Sequence, residues 1–192
     1  VLKNEIMGIE ELHEDPEYVY VRAGAGENWH SFVLFCIDKG WGGLENLSLI
    51  PGNVGAAPIQ NIGAYGVELE DLFWDLEAFD LTKKKIRTFT KTDCEFNYRD
   101  SVFKNRYKGQ FIILNVTFRL RKKPVFHTSY GVIKQELDKM GIAEMSIKAI
   151  SQAVINIRSS KLPDPAQIGN AGSFFKNPTV PKDYFESLKI KY

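Results

Sequence analysis

PGNVGAAPIQNIGAYG, residues 51–66, is the stretch on which the reading of this chain turns. It carries four glycines, three alanines and few side chains that would obstruct an approaching molecule. Backbone amides come close to a ligand where side chains are absent, and successive exposed N–H groups form a nest suited to phosphate. Spacing excludes two common forms of that arrangement. The stretch is not a GxGxxG turn between a strand and a helix, and it is not GxxxxGK[ST]. On its residues alone it reads equally well as an irregular loop packed on a core.

The flanking segments set the fold class. Upstream, YVYVRAG (18–24) alternates and is rich in β-formers, which predicts a strand. In GENWHSFVLFCIDKG the residues Trp29, Phe32, Val33, Phe35 and Cys36 fall on a helical stripe, with Gly40 placed to end the helix. Downstream, LFWDLEAFDL (72–81) and KIRTFTK (85–91) read as a hairpin across Thr82–Lys84. GQFIILNVTFRL (109–120) is the clearest strand, and its run Phe111–Leu114 suits a strand covered on both faces. The pattern changes after KKP (122–124). Residues 131–140 and 146–158 have helical periodicity, Ser146 is a candidate cap, and Ile147, Ile150, Val154 and Ile157 form one stripe. KLPDP (161–165) breaks the helix, and PKDYFESLKIKY begins another. The whole is an α+β pattern.

Composition narrows the function. The 192 residues hold 25 Lys+Arg against 24 Asp+Glu, and a net charge of +1 gives no basis for a nucleic-acid or membrane-surface partner. No stretch approaches the roughly 18 consecutive apolar residues of a membrane span. Charges interrupt every apolar run near the start, so a signal peptide is not expected. His13, His30 and His127 are scattered and suggest no metal site. Cys36 and Cys94 have no CxxC or Cys/His ligand spacing. One disulfide is open to them, and the reduced thiols of a cytoplasmic chain are expected.

Three further stretches carry possible chemistry. In NYRDSVFK (97–104), Arg99 stands among aromatics, either as half of a structural ion pair or as a fixed cation facing a developing anion. In RSSKLPDP (158–165), Arg158 and Lys161 either contact phosphate or are simply solvated. In GNAGSFFKNP (169–178), Ser173 has no neighbouring histidine, and Phe175 stands where the GxSxG elbow needs glycine. A hydrolase nucleophile is therefore not expected. A serine that donates a proton beside an anionic intermediate remains open.

Taken together, AGAGENWHSFV (23–33), GLENLSLIPGNVGAAPIQNIGAYGVEL (43–69), YRDSVFK (98–104), KLPDP (161–165) and GNAGSFFKNP resemble the UDP-N-acetylenolpyruvoylglucosamine reductase (MurB) family. Each segment alone is modest; five in the family's order are very specific, and they run over nearly the whole chain. TSYG (128–131) resembles the longer-loop form, which has a substrate-facing tyrosine. The resemblance implies the second lobe of a PCMH/MurB-type FAD-binding domain over 1–145, a connecting helix over 146–162, and the start of the substrate-binding domain over 163–192. It implies a cytoplasmic, monomeric reductase of peptidoglycan precursor synthesis, with FAD as cofactor and NADPH as co-substrate. Its UDP-sugar substrate, UDP-N-acetylglucosamine enolpyruvate, is reduced to UDP-N-acetylmuramate. Hydride reaches one alkene carbon, negative charge builds toward the carboxylate, and a serine protonates the neighbouring carbon.

By residue, the resemblance puts Arg99 at the enol carboxylate and Ser173 as proton donor. It places Ile50, Gly52, Gly55, Ala56, Ile59, Gly63, Ala64, Tyr65 and Ile113 at FAD, and Tyr130, Arg158, Lys161 and Asn177 at the UDP-sugar. The glycines of 169–173 would let the loop carry Ser173 to the reacting carbon, with Phe174 and Phe175 pinning it. Two family features have no counterpart: the GxGSN-type segment that holds the FAD diphosphate, and a C-terminal glutamate that partners the arginine. A 192-residue piece lacking both ends is expected to be inactive and to bind FAD poorly. Another FAD-dependent oxidoreductase of the same fold, or a non-catalytic binding domain, are the rival readings. Retention of both Arg99 and Ser173 argues against the second.

Overall fold

Strands β1 (Ile9–Glu14) and β2 (Tyr18–Gly24) form an antiparallel hairpin. This computed structural model describes residues 3–161, 163, 167–169 and 176–192. The alternation in β2 sends Val19, Val21 and Ala23 into the core, where none is exposed. The expected helix follows as α1 (Trp29–Asp38). Asn28 caps it by accepting from the Ser31 N–H at 3.0 Å. Gly40, at φ +81°, ends it in a Schellman motif, with Gly40 N–H on the Ile37 carbonyl and Trp41 N–H on that of Cys36.

Residues 40–71 contain more structure than an irregular loop. Short 3₁₀ turns cover Glu45–Leu47, Val54–Gln60 and Leu69–Asp71. The two-residue strands β3 (Gly63–Ala64) and β4 (Val67–Glu68) pair across Tyr65–Gly66. Both turn residues have positive φ, +50° and +83°, as a type I′ hairpin requires. The predicted hairpin is β5 (Phe73–Asp80) and β6 (Lys85–Thr90). The short helix α2 (Lys91–Cys94) follows, with a capping box between Thr90 and Asp93. Strand β7 (Phe111–Arg121) is central, giving a sheet of order β1-β2-β7-β5-β6, antiparallel throughout. Of its apolar run Phe111–Leu114, only Ile113 is fully buried; the other three are half-buried.

The core lies between one sheet face and α1. Val116, Phe118 and Leu120 of β7 meet Trp29, Phe32 and Cys36, and Phe118 packs 4.9 Å from Phe32 and 5.9 Å from Trp29, centroid to centroid. Helices α3 (Gly131–Lys139) and α4 (Ile147–Lys161) build a second, smaller cluster from Ile133, Leu137, Ile150, Ala153, Val154 and Ile157. Ser146 caps α4, accepting from the Ala149 N–H at 3.1 Å. Residues 1–162 form one compact unit and 163–192 a second. In the second unit, α5 (Lys182–Lys191) follows Pro181, with Asp183 in its first turn and Lys189 and Lys191 in its last.

Candidate functional site

The stretch 51–66 is fixed first by backbone bonds to the end of β2 and the start of α1. Gly55 N–H donates to Ala25 O at 3.0 Å, Val54 N–H to Glu27 O at 2.9 Å, and Trp29 N–H to Gly52 O at 3.0 Å. Gly55 is required there, since a Cβ would lie 2.5 Å from the Cβ of Ala25. Side chains complete the frame. Trp29 Nε1 donates to Leu47 O at 2.9 Å, and the Leu49 N–H donates to His30 Nδ1 at 3.0 Å. Leu49 itself is left-handed, at φ +57°. Burial holds the His30 imidazole below its ordinary value, which keeps Nδ1 an acceptor.

This frame supports two groups of the expected residues. The first surrounds Arg99. The segment 97–103 docks on the turn through Ser101 Oγ, which donates to Ile59 O at 2.7 Å, and Asn61 Nδ2, which donates to Asn97 O at 3.2 Å. Arg99 has φ +52°, a left-handed conformation costing a non-glycine residue about 1–2 kcal/mol. Its Nη1 donates to Glu68 Oε1 at 3.1 Å and Asn61 O at 3.3 Å, and its Nη2 donates to Gly63 O. The guanidinium also lies over the Tyr98 ring, 4.9 Å from its centroid. The paired side chains are 29% and 30% exposed, so solvent screens the pair less than one on the open surface. Arg99 is thus an ion-pair partner, one of the two roles its sequence left open, and its guanidinium is held in place by two carbonyls as well.

The second group surrounds Tyr65. Its ring meets that of Tyr130 edge-on, with centroids 5.8 Å apart. Burial holds its phenol above the ordinary value, while nearby Arg158 pulls the other way. Arg158 Nε donates to Leu49 O at 3.1 Å, one residue before Ile50. Buried Asn46 ties this group together, its Nδ2 donating to Tyr65 O at 3.1 Å and His127 O at 2.8 Å. The residues from Gly63 to Tyr65 connect the two groups directly.

Other expected residues fall elsewhere. Ile113 is buried in β7, and its carbonyl accepts from Asn4 Nδ2 at 2.9 Å. Lys161 is the exposed last residue of α4. Asn177 lies in the second unit. Ser173 lies outside the described residues. Sequence reasoning did not single out Asn46, Asn61 or Glu68. The only local signal was the polar pair Asn61 and Glu68 bracketing the small-residue run.

The surface fits a flavin nucleotide in two respects. Residues 50–66 carry no ionised side chain. At Gly52 (φ +113°) and Gly66, space is open where a side chain would project. Open, uncharged positions of this kind let a ligand approach the backbone closely. Among the described residues no group of acidic, histidine or cysteine side chains could hold a metal ion. Both cysteines are free and buried. No described helix is long and apolar enough to cross a membrane.

Comparison with known proteins points to flavin enzymes. The FAD binding domain family matches residues 2–86. The UDP-N-acetylenolpyruvoylglucosamine reductase of Amoebophilus asiaticus is 57% identical over 192 residues, which is 100% of this chain and 57% of that protein. The enzyme of the same name from Bdellovibrio bacteriovorus is 53% identical over the same span, with the same coverage. The crystal structure of the reductase from Thermus caldophilus superposes with a TM-score of 0.60 at 23% identity, covering 88% of this chain and 53% of that one, and shares the fold. The chain spans somewhat more than half the length of the curated relatives it matches. Along its whole length the chain is similar to part of the UDP-N-acetylenolpyruvoylglucosamine reductases, and it shares the fold of the solved one.

Proposed function

We propose that the complete protein containing this chain is an FAD-dependent reductase that converts UDP-N-acetylglucosamine enolpyruvate to UDP-N-acetylmuramate at the expense of NADPH. The observation that carries the reading is Arg99. A cation is held in left-handed backbone, tied down by Glu68 and two carbonyls, at the edge of an uncharged backbone surface. A non-glycine residue in that conformation costs free energy that is commonly retained at functional sites.

The turn Ile50–Tyr65 would hold FAD, with Ile59 and Ala64 supplying apolar contact. When bound, that group supplies hydride to the substrate alkene. The chain's own residues then have separable tasks. Arg99 faces the substrate carboxylate as it gains charge, and its cation is fixed before the reaction, so little reorganisation is needed. Ser173 donates the proton to the neighbouring carbon. Tyr130, Arg158, Lys161 and Asn177 bind the UDP-sugar, and Tyr65 backs Tyr130 edge-on. In this reading 1–145 is the FAD-binding domain, 146–162 a connecting helix, and 163–192 the start of the substrate domain. The reductase works as a cytoplasmic monomer.

The test uses the complete protein, following its flavin absorption and its substrate-dependent consumption of NADPH. Arg99→Ala should lower kcat roughly 10²- to 10³-fold while flavin remains bound, the cost of removing one fixed donor to a developing anion. Ser173→Ala should abolish product formation but leave reduction of FAD by NADPH intact. A colourless protein, or an Arg99→Ala variant with wild-type turnover, overturns the reading.

A further inference from the structure

We infer that Glu68 and Asn61 are the positioning residues of Arg99, holding one edge of its guanidinium so that the other faces the substrate carboxylate. The inference rests on the function proposed above and names residues to which no role has been assigned.

Asn61 is the hub. It is fully buried, it ends a 3₁₀ turn, and its backbone is left-handed at φ +42°. Its Nδ2 donates to Glu68 Oε2 at 3.0 Å, to Glu70 Oε1 at 3.4 Å and to Asn97 O at 3.2 Å, while its Oδ1 accepts from the Glu70 N–H at 3.0 Å. Lys91 Nζ, 3.6 Å from Glu70 Oε2, sets the far end of the chain of charges. Glu68 is therefore oriented from one side by Asn61 through Oε2 and presents Oε1 to Arg99. The 3₁₀ turn after β4 adds a capping box, in which Asp71 accepts from the Glu68 N–H at 2.9 Å.

The donor count on Arg99 gives this arrangement a direction. A guanidinium has five N–H groups. Two on Nη1 go to Asn61 O and Glu68 Oε1, and one on Nη2 goes to Gly63 O. Among the described residues, the Nε–H and the second Nη2–H are left uncommitted. Those two donors make the side-on fork that pairs with a carboxylate. Gly63 leaves room for this pose: a Cβ there would lie 2.7 Å from Arg99 Nη1 and 2.9 Å from Glu68 Cγ. Asn61 thus meets, through its own carbonyl, an arginine 38 residues away.

If Glu68 acts through Arg99, its loss is felt in the reaction more than in binding. Glu68→Ala and Glu68→Gln in the complete, flavin-loaded protein should lower kcat roughly 10- to 100-fold, the loss of one charge-assisted bond, with KM changing less than about threefold. Glu68→Asp, one methylene shorter, should recover part of the rate. Adding Glu68→Gln to Arg99→Ala should cost no further activity. A second readout needs no turnover: the Arg99 Nε–H resonance of labelled protein should sharpen or shift on adding a substrate analogue that bears the carboxylate, and Glu68→Gln should weaken that response. Gly63→Ala, whose Cβ would crowd both Arg99 Nη1 and Glu68 Cγ, disturbs the pair without removing either charge, and it should reproduce the kcat loss.

The two possible failures separate cleanly. If Arg99→Ala is itself silent, the proposed function is wrong. If Arg99→Ala is impaired while Glu68→Gln, Glu68→Ala and Gly63→Ala all match wild type, or if Glu68→Gln and Arg99→Ala multiply, the positioning role is overturned and the function stands.

Discussion

The sheet with α1 and the turn region 44–71 share one apolar core but differ in their polar supports. Beneath the sheet, Phe118 packs on Trp29 and Phe32 in an apolar cluster that also holds Val116, Leu76 and Phe89, with none of the six more than 1% exposed. The turn region buries Leu44, Leu47, Val54 and Leu69 in the same core and adds a set of single side-chain bonds to backbone atoms: Asn46 to Tyr65 and His127, Asn61 to Asn97, Ser101 to Ile59, Leu49 to His30. Burial is non-directional and tolerates modest repacking, whereas each polar bond specifies one position. The lesson is a division of labour. Apolar burial supplies stability to both, and the polar bonds fix the geometry of the surface where ligand is proposed to bind.

The largest way to break this contrast is Phe118→Ala. Removing a fully buried ring that packs on Trp29 and Phe32 should cost about 3–5 kcal/mol in denaturant unfolding. A cost under about 1 kcal/mol would show that the sheet core does not carry the fold. Asn46→Ala should cost less, about 1–3 kcal/mol, by stripping the donor from two carbonyls. Its effect should be local: amide exchange near residues 65–66 and 127–130 should quicken well before that of β7. Uniform acceleration across the sheet would erase the distinction between the halves.

The smallest test is a pH dependence. Burial depresses His30, so the folded state favours its neutral form. The stability this gives is present above the ordinary histidine value of 6.5 and is lost as pH falls from there through the depressed one. Wild type should therefore lose stability over that window, and His30→Gln, titrated in parallel, should lose less. Equal slopes would mean that His30 is not held neutral by its place against Leu49.

The apolar half was legible because its information is local. The alternation of Val19, Val21 and Ala23, the stripe from Trp29 to Cys36 with Gly40 behind it, and the Ser146 cap each act within a few residues. β1 was not legible. IEELHE is an edge strand, mostly exposed, with a pairing irregularity between Glu11 and His13, so charges hide its period. In the candidate site, Arg99 was legible as a cation among aromatics, but its partner was not. Glu68 lies 31 residues earlier, and no periodicity reports a contact that only the chain's folding back creates. The nest reading singled out the stretch 51–66 but not its supports, because Asn46 and Asn61 resemble any loop asparagine until their partners are known.

The strand order has a consequence for synthesis. β7 sits between β2 and β5 and bonds to both, so neither hairpin can join the sheet until residues 111–121 exist. The first hairpin is complete by Gly24, about a hundred residues earlier. At translation rates of about 5–20 residues per second, its row of unpaired β2 amides and carbonyls waits roughly 5–20 s for its neighbour. During that interval Val19, Val21 and Ala23 have no lasting cover, and the nascent chain is open to strand capture by other polypeptides. Slowing translation between codons 24 and 111 would lengthen that exposure, while the finished fold, once β7 closes it, would carry no trace of the delay.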